Sequence, residues 1–298
     1  MESTERRSKV GLALGGGGTR GYAHIGVLRV LKKHNVPIDL IVGTSMGSVV
    51  GGLFSAGISS DEIEKILMSD DFSSASELSI GKLDLVVLPI AVVPKALVKK
   101  SYTGLHKGNK FAEFLSTKLP TGMTDIEHLP TKFGAVVFNL LDGESHTLTT
   151  GDIGRALQAS SSVPELRQPV AWQGMLLVDG GVTDNLPCIK ARELGADILI
   201  AVNVDERLYP QEETAFRVIG SVSNRCVTAN LARLDKEEER VADVVIHPEV
   251  SSIKLLSRSK LDMERAIKAG EKAALEAMPT ILKALEKAGI IPPNYKAY

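Results

Sequence analysis

Two glycine-rich turns, each placed directly after a short apolar run, constrain the fold of this chain more than any other feature. Four consecutive glycines at 15–18 follow the apolar run 10–14. Glycines also bound the segment 43–47, which follows the apolar run 38–42. A short apolar run that stops at glycine is typical of a buried parallel strand that leads into a helix. The two turns therefore predict an α/β fold.

The rest of the chain continues the alternation of strands and helices. Further strands are predicted at 134–140, 175–178 and 198–204. Helices are predicted at 20–34, up to residue 56, from residue 59, at 153–160, 187–194, 215–241 and 261–288, the last kinked or broken at Pro279. The predicted architecture is a three-layer α/β/α sandwich with a mostly parallel central sheet.

The length of 298 residues is compatible with one α/β domain of substantial core. We predict a flexible tail over 1–9 and a single domain over 10–298. Its motif-bearing part covers 10–204 and its helical C-terminal part covers 205–298.

Charge and cysteine content exclude several classes of function. Lys plus Arg amount to 35 and Asp plus Glu to 36, a net charge of -1, so no global positive charge attracts a nucleic acid. Cys188 and Cys226 are too few for a disulfide framework, and no cluster has metal-ligand spacing. We expect no metal, no cofactor and a reducing, cytoplasmic setting.

The segment 83–100 is the most apolar region outside the predicted strands. Its longest run without a charge, 85–94, contains two prolines and falls far short of the roughly 20 residues that a spanning helix needs. Lys95, Lys99 and Lys100 follow this run. The segment is interpreted as an acyl-chain pocket wall, a lid, a peripheral membrane contact or a buried connection, and these alternatives stay open.

The segment 43–47, Gly-Thr-Ser-Met-Gly, matches the G-x-S-x-G pattern between a strand and a helix. A sharp turn there exposes the hydroxyl of the central residue, Ser45, and the flanking glycines avoid backbone clashes. Ser45 is therefore a candidate nucleophile. The alternative is that Ser45 only caps the following helix.

The four glycines can direct successive N–H groups at one anion, with a helix dipole behind them. That anion is either a dinucleotide pyrophosphate or the oxyanion of an acyl-transfer intermediate. A dinucleotide site needs an acidic residue at the end of the second strand, but Asp39 stands at its start. The residues Tyr22 and Ala23 also exclude a P-loop.

Asp179 follows the apolar run 175–178 and precedes two glycines. At the end of a strand it would lie at the carboxyl edge of the sheet, where ligands of open α/β sheets bind. An Asp-Gly-Gly sequence by itself is most often a turn. Asp179 becomes a candidate site residue only in combination with the other two motifs.

In this order, GGGGTRG, GTSMG and a distant DGG resemble the motifs of patatin-like phospholipases, most closely the short prokaryotic members. The resemblance covers about residues 10–204. It implies a serine lipid acyl hydrolase of phospholipase A, lysophospholipase or esterase type that acts on a lipid or ester substrate. By this resemblance Ser45 is the nucleophile and Asp179 its partner carboxylate. The N–H groups of Gly16, Gly17 and Gly18 then form the oxyanion hole.

Two other interpretations are kept. His247 lies downstream of Ser45 and Asp179, which formally permits an α/β-hydrolase triad of Ser, Asp and His. Alternatively, the chain is a lipid- or nucleotide-binding regulatory module with an idle serine. The sequence does not determine the oligomeric state.

Overall fold

The computed structural model describes residues 7–76, 102, 104–205, 208–218 and 220–290. The apolar segment 83–100 lies outside the described residues, as do the first six residues of the predicted tail 1–9. The predictions for both therefore stay predictions.

The described residues form eight strands. They are β1 (Val10–Leu14), β2 (Leu40–Thr44), β3 (Lys132–Asn139), β4 (Glu144–Leu148), β5 (Val170–Trp172), β6 (Met175–Asp179), β7 (Ile198–Val202) and β8 (Val244–Ile246). The helices are α1 (Ala23–Lys33), α2 (Met46–Ser55), α3 (Ser60–Leu67), α4 (Asp70–Ala75), α5 (Asn109–Lys118), α6 (Ile153–Ser160), α7 (Cys188–Glu193), α8 (Ser221–Glu239) and α9 (Lys260–Lys287).

The strands build one mixed sheet whose central part is parallel. β3, β2, β1, β7 and β8 lie side by side in this order and run in the same direction. β4 and β6 are antiparallel to β3, and β5 is antiparallel to β6. With helices on both faces, this confirms the predicted three-layer architecture and the mostly parallel sheet.

Side chains of the central strands alternate between two buried layers, as the period of two in a strand requires. In β1, Leu12 and Leu14 join the larger core while Ala13 joins the smaller one. In β7, Ile200 and Leu199 divide in the same way. Both faces of the sheet are therefore covered, which explains why these strands appear in the sequence as continuous apolar runs.

The two layers of helices differ in size. α7 covers one face, where Cys188 and Ala191 pack on β1 and β2. α1, α2 and α9 cover the other face, and α1 packs along α9. The C-terminal helix α9 thus belongs to the main core.

Most predicted elements are confirmed, but three differ. The helix predicted to begin at residue 20 starts as a 3₁₀ turn, Gly18–Tyr22, before α1. The helix predicted over 215–241 is divided into a 3₁₀ turn, Glu213–Arg217, and α8, because Gly220 adopts a left-handed conformation (φ 88°) at the start of α8.

Of the kink or break predicted at Pro279, the break is wrong, since α9 is continuous through this residue. The packing of buried Met278 and Ile281 outweighs the hydrogen bond that proline removes. No helix in the described part of the chain combines the length and apolar character required to cross a membrane.

Candidate active site

Two strands of opposite direction meet along one edge of β3. Ala135 and Val136 pair with β2 and also with β4, whereas Val137 pairs with β4 and with β6. A strand has only two edges, and β4 occupies one of them at all three residues, so β2 and β6 share the other. Thr44 lies opposite Val136, and Asp179 lies opposite Val137. The carboxyl ends of β2 and β6 therefore face each other.

This arrangement brings the two predicted catalytic residues together by an unexpected route. The edge rule for parallel strands does not place Asp179, because β6 is antiparallel to β3. Asp179 instead approaches Ser45 head-on, since β6 ends where β2 gives way to the turn at Ser45. The predicted location is right, but the reason for it is different.

Ser45 lies in a strained turn between β2 and α2. Its backbone has φ 52° and ψ −122°, a region that side-chain-bearing residues rarely adopt. A Cβ on Gly43 would lie 2.5 Å from the Gly47 carbonyl oxygen, and one on Gly47 would lie 2.1 Å from the Leu14 carbonyl oxygen. Ser45 occupies the N-cap position of α2, yet its side chain makes no capping hydrogen bond. The alternative of a simple helix cap is therefore wrong.

Asp179 is a buried carboxylic acid, with 4% of its surface exposed. It accepts a hydrogen bond of 2.8 Å from the Gly181 N–H. Burial raises the pKa of Asp179 to about 6, although the neighbouring Ser45 side chain, the Gly181 N–H and the charge of Arg167 act to lower it. At neutral pH the carboxyl is mostly ionised and is a stronger base than an exposed aspartate.

The glycine loop lies beside Ser45. A Cβ on Gly16 would lie 3.3 Å from the Cβ of Ser45. The Gly16 N–H donates to the carbonyl oxygen of Asn185 at 3.0 Å. Within the described part of the chain, no acceptor takes the N–H of Gly17 or Gly18. Of the three predicted oxyanion donors, these two have N–H groups that can still bind an anion.

A segment from Ile253 to Ser257, here called the C-terminal strap, holds the glycine loop from outside. Thr19 donates its N–H to the Leu255 carbonyl and its hydroxyl to the Ser257 carbonyl, both at 2.8 Å. Arg20 donates its Nε–H to the Ile253 carbonyl at 2.7 Å. Nothing in the sequence of the strap indicates these contacts, because the partners lie more than 230 residues away along the chain.

His24 supports the same loop from below. It is fully buried, and its Nε2 lies 2.8 Å from the carbonyl oxygen of Gly15. Burial lowers the pKa of His24 to about 4, so the ring is neutral at physiological pH. A nitrogen this close to a carbonyl must be the donor, which fixes the proton on Nε2.

His247 does not approach Ser45. Its Nε2 lies 3.3 Å from a carboxylate oxygen of Glu239 on α8. It follows β8, which is separated from β2 by β1 and β7, a displacement of roughly 14 Å at about 4.8 Å per strand. The geometry gives no support to a triad that includes His247.

Two other buried acids, Asp235 and Glu238, lie on α8. Burial raises the pKa of Asp235 to about 7, and the nearby charge of Asp205 raises it further. Burial likewise raises the pKa of Glu238 to about 7. Within the described ranges, no group of three or more His, Cys, Asp or Glu residues is arranged to hold a metal ion.

Comparison with known proteins relates this site to a family. An uncharacterized NTE family protein of Mycobacterium bovis is 32% identical, over 78% of this chain and 59% of its own length. Lysophospholipase NTE1 of Scheffersomyces stipitis is 32% identical, over 65% of this chain and 12% of its own length. The chain thus spans little more than half of the mycobacterial relative and a small part of the fungal one.

The fold has a counterpart among solved structures. VipD from Legionella pneumophila matches with a TM-score of 0.50 and 14% identity, over 92% of this chain and 67% of VipD. At that identity the likeness concerns the fold alone. A family model described as patatin-like phospholipase matches residues 12–192, which include both glycine-rich turns and Asp179. The chain belongs to the patatin-like phospholipase family.

Proposed function

We propose that this protein is a serine hydrolase that cleaves carboxylic esters of lipids through a dyad of Ser45 and Asp179. The observation that supports this most directly is the position of the Ser45 side chain next to a buried carboxyl group, that of Asp179, and beside the glycine loop. A nucleophile, a base and oxyanion donors are the three parts that acyl transfer needs.

In the first half of the reaction, Ser45 Oγ attacks the ester carbonyl carbon, and Asp179 accepts the proton of the Ser45 hydroxyl. The carbonyl oxygen becomes an oxyanion that the N–H groups of Gly17 and Gly18 stabilise. The intermediate then expels the alcohol, which takes the proton from Asp179, and an acyl ester on Ser45 remains.

In the second half, water attacks this acyl ester and transfers a proton to Asp179. The acid leaves, and the proton returns to Ser45. A carboxyl pKa of about 6 suits this role, because the group is ionised at pH 7 and binds a proton more readily than an exposed aspartate.

The relatives support a substrate class. Family membership favours a lipid ester, and the relative named lysophospholipase favours a lysophospholipid among such esters. The runner-up is a binding module with an idle serine. The strained backbone at Ser45 disfavours it, because a chain without a use for this conformation gains nothing from the strain.

The test combines covalent labelling with turnover. A fluorophosphonate probe should label the wild-type protein, and the label should be absent in Ser45→Ala and strongly reduced in Asp179→Asn. Hydrolysis of p-nitrophenyl esters of graded chain length and of a lysophospholipid should fall by on the order of 10³-fold or more in Ser45→Ala.

Ser221→Ala is the matched control, because that hydroxyl only donates to the Val218 carbonyl at the start of α8. It should retain label and turnover. Labelling that persists in Ser45→Ala would exclude Ser45 as the nucleophile. A folded wild-type protein with neither label nor turnover would favour the regulatory module.

A further inference from the structure

The end of α6 and the two residues after it contact both members of the proposed dyad. The hydroxyl of Ser160 accepts a 3.0 Å hydrogen bond from the Ser45 N–H and donates a 2.7 Å one to the Val136 carbonyl. Two residues later, the carbonyl of Ser162 accepts the N–H of Asp179 at 3.0 Å. This serine turn, residues 160–162, is therefore tied to the backbone of both proposed catalytic residues.

Arg167 clamps the middle of the serine turn. One terminal nitrogen of its guanidinium donates to the Ser161 carbonyl and the other to the Ser76 carbonyl, both at 2.7 Å. The guanidinium also lies over the ring of Phe111, 4.3 Å from its centre. Arg167 is 4% exposed, so its charge interacts with its surroundings through little intervening water.

The local backbone directs this side chain inward. Arg167 donates its N–H to the Val163 carbonyl, closing a tight turn after the serine turn. Within it Glu165 has φ 66°, a left-handed conformation that is unfavourable for a residue with a side chain. The chain thus accepts strain at the point that folds Arg167 back onto Ser161.

The charge of Arg167 also acts on the proposed base. It lowers the pKa of Asp179, in opposition to the larger effect of burial. The other groups that act on Asp179 are the Ser45 side chain and the Gly181 N–H. Arg167 is therefore a buried cation that favours the ionised form of this carboxyl.

We propose that Arg167 is a positioning residue of the active site: its guanidinium holds the serine turn that sets Ser45 against Asp179. The charge of Arg167 adds a second effect, because it lowers the pKa of Asp179. This proposal rests on the proposed function. It assigns two separable effects to one side chain, of which the first requires the forked donor geometry and the second requires only a positive charge.

The experiment compares Arg167→Met, Arg167→Lys and Arg155→Met by pH–rate profiles on a p-nitrophenyl ester. Arg155 is the matched control, because its guanidinium lies over Trp172 at 5.7 Å and donates to the Ala171 carbonyl, with no contact to the serine turn. Arg167→Met should lower kcat about ten- to hundredfold, because the dyad loses its alignment. The acid limb of its pH–rate profile should move to higher pH by roughly half a unit or more, because Asp179 loses a neighbouring cation.

Arg167→Lys keeps the positive charge but loses the paired guanidinium donors. It should therefore lower kcat, while the acid limb of its pH–rate profile stays near that of the wild type. Arg155→Met should change neither. An acid limb in Arg167→Met that coincides with that of Arg155→Met would overturn the role of the charge. Unchanged kcat in Arg167→Lys would overturn the role of the fork. If Arg167→Met does not fold, Arg167→Gln takes its place with the same expectations.

Failure of the proposed function is recognised separately. If the wild-type protein neither takes the fluorophosphonate label nor cleaves esters, the dyad chemistry is wrong. The charge effect is then still measured by NMR titration of the Asp179 carboxyl in protein labelled with ¹³C-aspartate. An identical Asp179 titration in Arg167→Gln and in the wild type would contradict it.

Discussion

Ser45 adopts a backbone conformation that costs on the order of 1–3 kcal/mol. The close packing of the neighbouring glycines keeps the backbone in this conformation. Gly47 passes so close to the Leu14 carbonyl that no side chain fits there. Gly43 is confined in the same way by the first turn of α2. The two glycines are required by close backbone packing, so the motif can be recognised from sequence without knowledge of its partners.

Asp179 gives the first prediction, which concerns stability against pH. Burial raises the pKa of Asp179 from its ordinary 3.8 to about 6 in the folded protein. The folded state therefore binds this proton more tightly than the unfolded state. The resulting stabilisation is fully present below pH 4 and is lost as the pH rises from about 4 to 6. The loss amounts to about 3 kcal/mol at most.

Asp179→Asn removes this loss, because the amide stays neutral. Its free energy of unfolding, measured by urea denaturation, should exceed that of the wild type by more at pH 7.5 than at pH 4. Asp71→Asn, at an exposed position on α4, serves as the control and should show no such difference. If the free energies of unfolding of Asp179→Asn and the wild type differ by the same amount at pH 4 and at pH 7.5, burial does not raise the pKa of this carboxyl.

At the scale of elements, two contacts determine where the site forms. One is the head-on meeting of β2 and β6 along β3, which requires β6 to run against the parallel strands. The other is the crossing of α1 and α9, where the backbones approach at two glycines. A Cβ on Gly26 would lie 2.1 Å from the Ile267 carbonyl oxygen, and one on Gly270 would lie 2.0 Å from that of Ala23.

The second prediction tests this crossing. In Gly270→Ala the new methyl group must push α9 away from α1, which should destabilise the fold by about 1–3 kcal/mol and lower Tm. Gly289→Ala is the control, because Gly289 follows the end of α9 and a Cβ there meets nothing within 4 Å. Its left-handed φ of 71° disfavours alanine by about 1 kcal/mol without any steric contact, so Gly270→Ala should lower Tm further than Gly289→Ala does. Equal Tm for Gly270→Ala and the wild type would show that the helices do not approach this closely.

At the scale of the whole molecule, the proposed oxyanion loop depends on chain far beyond the family match. The match ends at residue 192, yet the C-terminal strap accepts three hydrogen bonds from Thr19 and Arg20. The division into a motif-bearing part 10–204 and a helical part 205–298 remains a prediction about domain organisation. These bonds make the helical part a structural support of the proposed site.

Our third prediction concerns a substitution, Thr19→Val, that removes one of these hydrogen bonds. Thr19→Val keeps the shape of the side chain but loses the donor to the Ser257 carbonyl, which is worth about 1 kcal/mol. The rate of fluorophosphonate labelling should fall about fivefold, and Tm should fall by only about 2 °C, the shift that a loss of roughly 1 kcal/mol gives in a chain of this size. Thr19→Ser retains the hydroxyl and should restore the rate. A labelling rate in Thr19→Val equal to that of the wild type would show that the strap does not position the loop.

The sequence by itself determined the features that depend on neighbours in the chain. Apolar runs that stop at glycine identified β1, β2 and the mostly parallel sheet, because burial of both faces leaves a continuous apolar pattern. The spacing around Ser45 identified its turn, because close packing at Gly43 and Gly47 leaves no room for side chains. The motifs also singled out Asp179 and the glycine loop, whose catalytic roles remain our proposal.

Only the tertiary structure decided how these pieces meet. The direction of β6, and hence the head-on approach of Asp179 to Ser45, depends on pairing with β3, and a strand's own sequence carries little information about its direction in a sheet. The donors from Thr19 to the strap and from Arg167 to the serine turn join groups that the local pattern leaves independent. The separation of His247 from Ser45 depends on the order of strands across the sheet. Such contacts arise from packing between segments that are distant in the chain. The periodic pattern of apolar residues in a sequence indicates only which side of a helix or strand is buried, and not which segment covers it.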